Sequence, residues 1–382
     1  MQHSPALWPN PEAHLARTRP DHPVLYLSPE RLQATAERFR RGFDGLVTYA
    51  VKANDRAEVL ANLVAAGISA FDVASPAEMQ AVRAALYNAD LHYNNPVRSR
   101  GEIAEGIAQR VASWSVDDAA ELDKLDAVPR DTEIAVRFAL PVAGAAYDFG
   151  EKFGTTPDNA ALLLRRVAQA GWRPSLCFHP GTQCEDPSAW QTYVTEAARI
   201  TEAAGVRIAR LNVGGGFAAN RTGNPPDLEA VFDGISRTAR KAFGRAVPEL
   251  ICEPGRAMVS EGFTLAAQVK AIRQDGRVVF LNDGIYGGLT DLRDMGLTGR
   301  VRVIAPDGAA RQGGKVERVV FGPTCDSLDR LPDGLPLPGD TQVGDYVLFD
   351  GMGAYSAAMS TRFNGYGLDT VISVHCTNPV NK

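Results

Sequence analysis

Cysteine is scarce in this chain and badly spaced for a structural role. The five cysteines (177, 184, 252, 325 and 376) form no CxxC pair and are odd in number. That excludes a disulfide framework or a zinc knuckle and fits reduced thiols in a cytoplasmic protein. The six histidines also lack metal-ligand spacing, so no metal site is expected. Positive charge is not in excess: 40 Lys and Arg stand against 45 Asp and Glu, a net charge of −5. Nucleic acid is therefore not an expected partner, since it needs a basic face. The run "RFRR" at 38–41 falls in helical pattern and reads as a solvated face. No stretch approaches the roughly 20 apolar residues that span a bilayer. The start "MQHSPALWPN" lacks a basic segment followed by an apolar run, so neither a membrane partner nor a secretory signal is expected. Internal repeats and low-complexity tracts are absent too.

What is present is enough apolar residue for more than one core: 382 residues, 45% of them hydrophobic, predict two domains. From about residue 30, helical stretches alternate with short apolar runs. "SPERLQATAERFRRGF" places a Pro in a first helical turn behind a Ser cap. Eight strand candidates follow: "TYAVKAN", "AFDVAS", "DLHYNNP", "ASWSVDD", "EIAVRFAL", "PSLCFHPG", "RIARLNVGGGF" and "PELICEPGR". This rhythm predicts an α/β fold, a (β/α)8 TIM-like barrel over residues 30–260. Beyond it, runs such as "FTLAAQVKAIRQ", "RVVFLND" and "GDYVLFD" predict an all-β second domain over 261–382. The run "PVLYLS" within residues 1–29 is expected to add a strand to that domain.

In barrel order the strand-end residues are Lys52, Asp72, Asn94, Arg137, His179, the glycines 214–216, and Glu253 with Arg256. A barrel gathers them at one mouth. Singly, each has a bland account. Lys52 reads as a strand-end lysine turned to solvent, His179 as a core histidine, "NVGGGF" as a flexible turn and "CEPGR" as a surface ion pair. Together they suit pyridoxal phosphate. Its aldehyde condenses with a lysine amine, its ring nitrogen needs a carboxylate, and its phosphate needs glycine amides and an arginine.

The motifs "YAVKAN", "FDVAS", "FHPGTQ", "NVGGGF", "CEPGR", "NDGIYGG", "GPTCDSLD" and "MGAY…FNGY" occur in the order found in one family. The chain resembles the pyridoxal-phosphate enzymes of the alanine-racemase fold type, specifically the ornithine/lysine/diaminopimelate decarboxylases, from about residue 23 to about 366. "GPTCDSLD" looks like the ornithine-decarboxylase form, since diaminopimelate decarboxylases usually carry Glu where Asp326 stands. The resemblance implies that Lys52 holds the cofactor covalently, with Asp72 close to it. His179 would stack on the ring, with Thr182 and Arg137 nearby. Gly214, Gly215, Gly216, Gly255, Arg256 and Tyr355 would bind the phosphate, and Glu253 the ring nitrogen. Alanine racemases present an arginine at that last position, so Glu253 favours decarboxylation.

Cys325 would protonate the α-carbon after CO2 leaves, and Asp326 would receive the distal ammonium of the substrate, with Tyr286 beside it. Both Cys325 and Asp326 would reach the site from the neighbouring subunit of a homodimer. A second substrate acid is expected after "DGIYGG", where Asp291 and Asp294 are the candidates. The implied activity is decarboxylation of L-ornithine to putrescine, and of L-lysine to cadaverine. Rivals are meso-diaminopimelate, arginine, carboxynorspermidine or a modified ornithine or lysine as substrate. The zwitterionic end of diaminopimelate needs an added cation, for which the sequence offers no clear candidate. A catalytically silent regulatory relative would be expected to lose the lysine, the thiol or the phosphate ligands, and here all are present. The departures are Pro180 where the family often has Val and Thr182 where it has Ser; neither removes a needed group.

Overall fold

Strands form where the sequence runs apolar between turns, and the first, β1 (Val24–Leu27), is buried at all four residues. The next eight are β2 (Leu46–Ala50), β3 (Ala70–Val73), β4 (Asp90–Tyr93), β5 (Ser113–Val116), β6 (Glu133–Arg137), β7 (Arg173–Cys177), β8 (Arg210–Asn212) and β9 (Glu249–Cys252). These eight close into a parallel barrel, β9 pairing back onto β2. All eight apolar runs assigned to the barrel are strands of it. The structure is a computed structural model, and it describes residues 7–141 and 152–377. The chain divides into two units. Ala36–Ala218 with Pro226–Met258 carry the barrel; residues up to Thr35, Ala219–Pro225 and those from Val259 onward form a mostly-β unit.

Helices between the barrel strands start on local signals. Ser75 caps the helix Pro76–Ala85 through the Glu78 N–H, while Glu78 reaches back to the Ala74 N–H at 2.7 Å. On Arg100–Ala108 the box is fully reciprocal, the Ser99 side chain accepting from the Glu102 N–H and the Glu102 side chain from the Ser99 N–H. Tyr49, Phe71, Tyr93 and Trp114 are fully buried in this unit. The barrel also holds a polar layer, register-matched from β4 to β6 at His92, Ser113 and Glu133. His92 Nδ1 lies 2.7 Å from Ser113 Oγ, and Glu133 accepts from Arg210 Nε at 2.7 Å. Buried polar atoms need such partners, because an unpaired one forfeits its hydration.

The second sheet contains β10 (Phe263–Arg273), β11 (Val278–Leu281), β12 (Val301–Ile304), β13 (Lys315–Phe321), β14 (Leu335–Pro338), β15 (Tyr346–Asp350) and β16 (Thr370–Ser373). Their order is β12-β15-β10-β11-β13-β14, and β1 pairs with β10 and β16. Leu15, Val24, Tyr26, Ile304, Tyr346 and Leu348 share its core. This unit is not purely β. Thr290–Met295 is a short helix, with Leu292 buried and the Thr290 hydroxyl donating to the Ile285 and Gly287 carbonyls. Among the described residues no helix is long and apolar enough to cross a membrane.

Candidate active site

Lys52 follows β2 in a single turn, Val51–Ala53, closed by the Asn54 N–H on the Val51 carbonyl at 3.0 Å. The turn after β9 lies close against it. A Cβ on Gly255 would come within 3.1 Å of Ala53 Cβ and 3.3 Å of Ala50 Cβ, so small residues on both sides permit the contact. Lys52 lines a cavity of about 220 Å3 together with Asp72, Asn94, Arg137, His179 and Glu253. These residues end or follow β2, β3, β4, β6, β7 and β9, as strand-end placement in a barrel requires. Lys152, Phe153 and Cys177 complete much of the wall.

The charges in this cavity are set by burial. Asp72 is raised above the usual carboxylate range by burial, opposed by Lys52, an amide hydrogen bond from Asn94, and Arg137. Glu253 is pushed up to about 8, first by burial and then by the charge of Asp72; Asn212, Lys52 and Arg137 pull it back. Two acids thus share one enclosure with Lys52, Arg137 and Lys152, and the acids still want positive charge. His179 is held well below its ordinary pKa by burial, then by Lys52 and Arg137, so its imidazole is neutral. Its Nδ1 accepts the Gly181 N–H at 3.2 Å, which puts the ring proton on Nε2. Cys177 is a neutral thiol, raised by burial.

The glycine turn is defined by close approach. Gly214 and Gly216 have φ of +70° and +88°, and a Cβ on Gly214 would meet the Phe178 carbonyl at 2.3 Å. A Cβ on Gly215 would meet the Glu253 carbonyl at 2.8 Å and His179 Nε2 at 3.2 Å. Thr182 is partly exposed in the loop that Cys184 ties to Gly216 through a 2.9 Å backbone bond. Arg256 is buried at the start of the short helix Arg256–Val259. Thr182, the three glycines, Gly255 and Arg256 therefore belong to the turns after β7, β8 and β9 of the barrel unit.

The remaining candidates belong to the mostly-β unit. The Tyr286 hydroxyl donates to Asp326 Oδ2 at 2.5 Å. That bond, then the Leu328 N–H, holds Asp326 below the usual carboxylate range. Cys325 is exposed, its N–H donating to Asn364 Oδ1 at 3.0 Å. Of the two acids after Tyr286, Asp291 is buried against Arg221 at 3.3 Å, whereas Asp294 is exposed against Arg293 at 2.8 Å. Tyr355 has φ of +62°, a left-handed conformation unusual for a bulky residue and one that clusters at functional sites.

Sequence reasoning missed several residues. Lys152 and Phe153 line the cavity, with the Arg137 guanidinium 5.2 Å from the Phe153 ring centre, yet no periodic pattern marks them. Asp329 is buried and accepts the N–H groups of Ile285 and Thr324, tying "NDGIYGG" to "GPTCDSLD". Asn212 donates to Glu253; its place two residues before the glycines was the available signal.

The donor set fits pyridoxal phosphate: an amine facing the cavity, a walled-in acid short of positive charge, and a neutral flat imidazole. Comparison with known proteins agrees. Residues 29–260 match the family described as "Pyridoxal-dependent decarboxylase, pyridoxal binding domain". The ornithine decarboxylase of Neurospora crassa is 29% identical over 87% of this chain and 76% of its own length. The lysine/ornithine decarboxylase of Selenomonas ruminantium is 29% identical over 92% of this chain and 89% of its own. Among solved structures, the lysine/ornithine decarboxylase of Vibrio vulnificus complexed with cadaverine superposes with a TM-score of 0.82 at 25% identity, covering 97% of each chain.

Proposed function

Since the chain belongs to the pyridoxal-dependent decarboxylases, with pyridoxal 5'-phosphate as cofactor and a basic amino acid as substrate, we propose that it converts L-ornithine to putrescine, with L-lysine and cadaverine as the second pair. The observation that carries this reading is Asp326. Its carboxylate is held ionised by Tyr286, which suits it to a distal ammonium group.

In this reading Lys52 would hold the cofactor through Nζ, with His179, Asp72, Arg137 and Thr182 around its ring. Gly214, Gly215, Gly216, Gly255, Arg256 and Tyr355 hold the phosphate. When bound, the cofactor supplies an electron sink for the bonding pair that CO2 leaves behind. Glu253 pairs with the ring nitrogen and keeps a proton there. Cys325 Sγ gives a proton to the α-carbon. We assign Cys325 and Asp326 to the neighbouring subunit of a homodimer; the exposure of Cys325, of Leu328 at 71% and of Phe363 at 43% supports that.

One observation favours a second reading. Arg293, beside Asp294, lies close enough to Tyr286 for its charge to oppose the rise in that hydroxyl's pKa. It is the kind of cation that the distal carboxylate of meso-diaminopimelate requires. The deciding experiment is CO2 release measured in parallel on L-ornithine, L-lysine, L-arginine and meso-diaminopimelate, with L-ornithine expected fastest. Asp326→Ala is expected to raise KM for L-ornithine by roughly tenfold or more while cofactor binding is kept. An unchanged KM refutes the diamine pocket.

A further inference from the structure

The side chain of Asn212 stands between two parts of the cofactor site. It ends β8 and is 6% exposed, so both ends of its amide must find partners inside the protein. Oδ1 accepts the N–H of Gly214 at 2.9 Å, and Nδ2 donates to Oε1 of Glu253. The same Oε1 takes a second amide N–H, from Asn94 after β4. Backbone closes the circuit: the Glu253 N–H donates to the Gly214 carbonyl at 2.9 Å. The partners dictate which end is which. Only a carbonyl can accept from a backbone N–H, and only the nitrogen end can donate to a carboxylate. Three hydrogen bonds therefore join Asn212, Gly214 and Glu253 into one ring.

We propose that Asn212 is a positioning residue that fixes the glycine turn and the Glu253 carboxyl in one relation, its Nδ2 donor pairing with the carboxylate form. The proposal rests on the reading that Gly214 serves the phosphate and Glu253 the ring nitrogen, and it is independent of which amino acid is the substrate. One amide thereby sets the spacing between the two groups that grip opposite parts of the cofactor. It does so without touching the cofactor's reacting atoms.

Asn212 acts against strong opposing forces. Burial and the charge of Asp72 push Glu253 up, while Asn212, Lys52 and Arg137 pull it down. Of the other titratable groups around it, Cys177 and Cys252 are thiols that burial holds neutral, His179 is an imidazole held neutral by burial, and Lys152 is a further cation in the cavity wall. Removing the Nδ2 donor leaves Glu253 with one amide partner on Oε1. Putting a carboxylate in its place adds a third acid to the enclosure, which disfavours ionisation further.

The test uses the full chain after hydroxylamine has released the cofactor and dialysis has removed it. The carbonyl stretch of the protonated Glu253 is titrated by infrared difference spectroscopy, and Glu253→Gln identifies the band. Asn212→Asp is expected to raise the midpoint by about one pH unit or more, tenfold in proton affinity. Its added charge also repels inorganic phosphate, the probe of the glycine turn, so phosphate affinity is read only in the uncharged variants. Asn212→Ala is expected both to raise the midpoint and to weaken phosphate binding several-fold. Variants that lose thermal stability while the midpoint stays in place overturn the proposal, since a purely structural asparagine has that outcome. Should Asn212→Asp fail to fold, Asn212→Ser, too short to reach Glu253, is read by the same midpoint. A rise supports the proposal and an unmoved value overturns it.

Discussion

Gly214 and Gly244 separate two reasons for needing glycine, and they make a matched test at the residue scale. Both have positive φ, +70° and +59°. A Cβ on Gly244 meets nothing within 4 Å, so Gly244→Ala adds only backbone strain, about 1–3 kcal/mol. A Cβ on Gly214 meets a carbonyl oxygen at 2.3 Å, and backbone has to move. Gly214→Ala is therefore expected to lower the melting temperature further than Gly244→Ala and to weaken cofactor binding, which Gly244→Ala leaves intact. Equal effects in thermal melts and equilibrium dialysis count against close approach as the reason for the turn. From the sequence, "GGG" reads equally as a flexible turn or an anion nest. The choice depends on what β7 and β9 bring alongside, and no local pattern encodes that. Lys52, Asp72, His179 and Glu253 were legible because each stands at the end of an apolar run. Asn212 was not, because its value lies in a partner from the adjacent strand.

Elements follow the same division between local and non-local causes. The eight barrel strands were legible as apolar runs closing in polar or small residues. β14 was not: it reads "LPLP", and proline donates nothing to a ladder. It is tolerated at the edge, paired only with β13. The polar layer inside the barrel offers a prediction at this scale. His92 is 2% exposed, and burial, then Arg210, lowers its pKa to about 3. Below pH 6.5 the unfolded chain binds a proton at this position that the folded chain refuses until about pH 3. Stability is thus lost as pH falls from 6.5 to 5, by about 2 kcal/mol from this residue. His92→Gln is expected to remove that loss, so that its stability relative to wild type rises by about 2 kcal/mol between pH 6.5 and 5. Asp283 and Glu78, both raised to about 7, change stability in the opposite sense there. The difference between variant and wild type isolates His92. If the two slopes coincide, the imidazole is not the neutral buried group described.

The whole molecule is where a single chain's sequence reveals least, because a shared site is a property of two copies. Cys325 and Asp326 were singled out by the motif that carries them; Cys325 is exposed on the mostly-β unit and Asp326 partly so. The surface around them has the composition of an interface core. Tyr286 packs on Phe363 with ring centres 5.1 Å apart, and Leu328, Phe363 and Tyr366 are exposed. Large apolar side chains gathered on a surface mark a protein partner more often than bare solvent. On the proposed reading the partner is a second copy of this chain, which would put the thiol of one subunit beside the lysine of the other. Mixing variants tests this directly. Lys52→Ala and Cys325→Ala are each expected to be nearly inactive alone, and the first also to lack the cofactor's visible absorption. In a homodimer that shares its sites, random exchange makes half the dimers mixed. Each mixed dimer then carries one site with both groups intact and one with neither, so activity is expected to return to about a quarter of wild type. If each site is built from one chain, every site in the mixture lacks one group and nothing is recovered. Sedimentation of the same mixture distinguishes that outcome from a failure to exchange subunits, since exchange between tagged copies is scored independently of turnover.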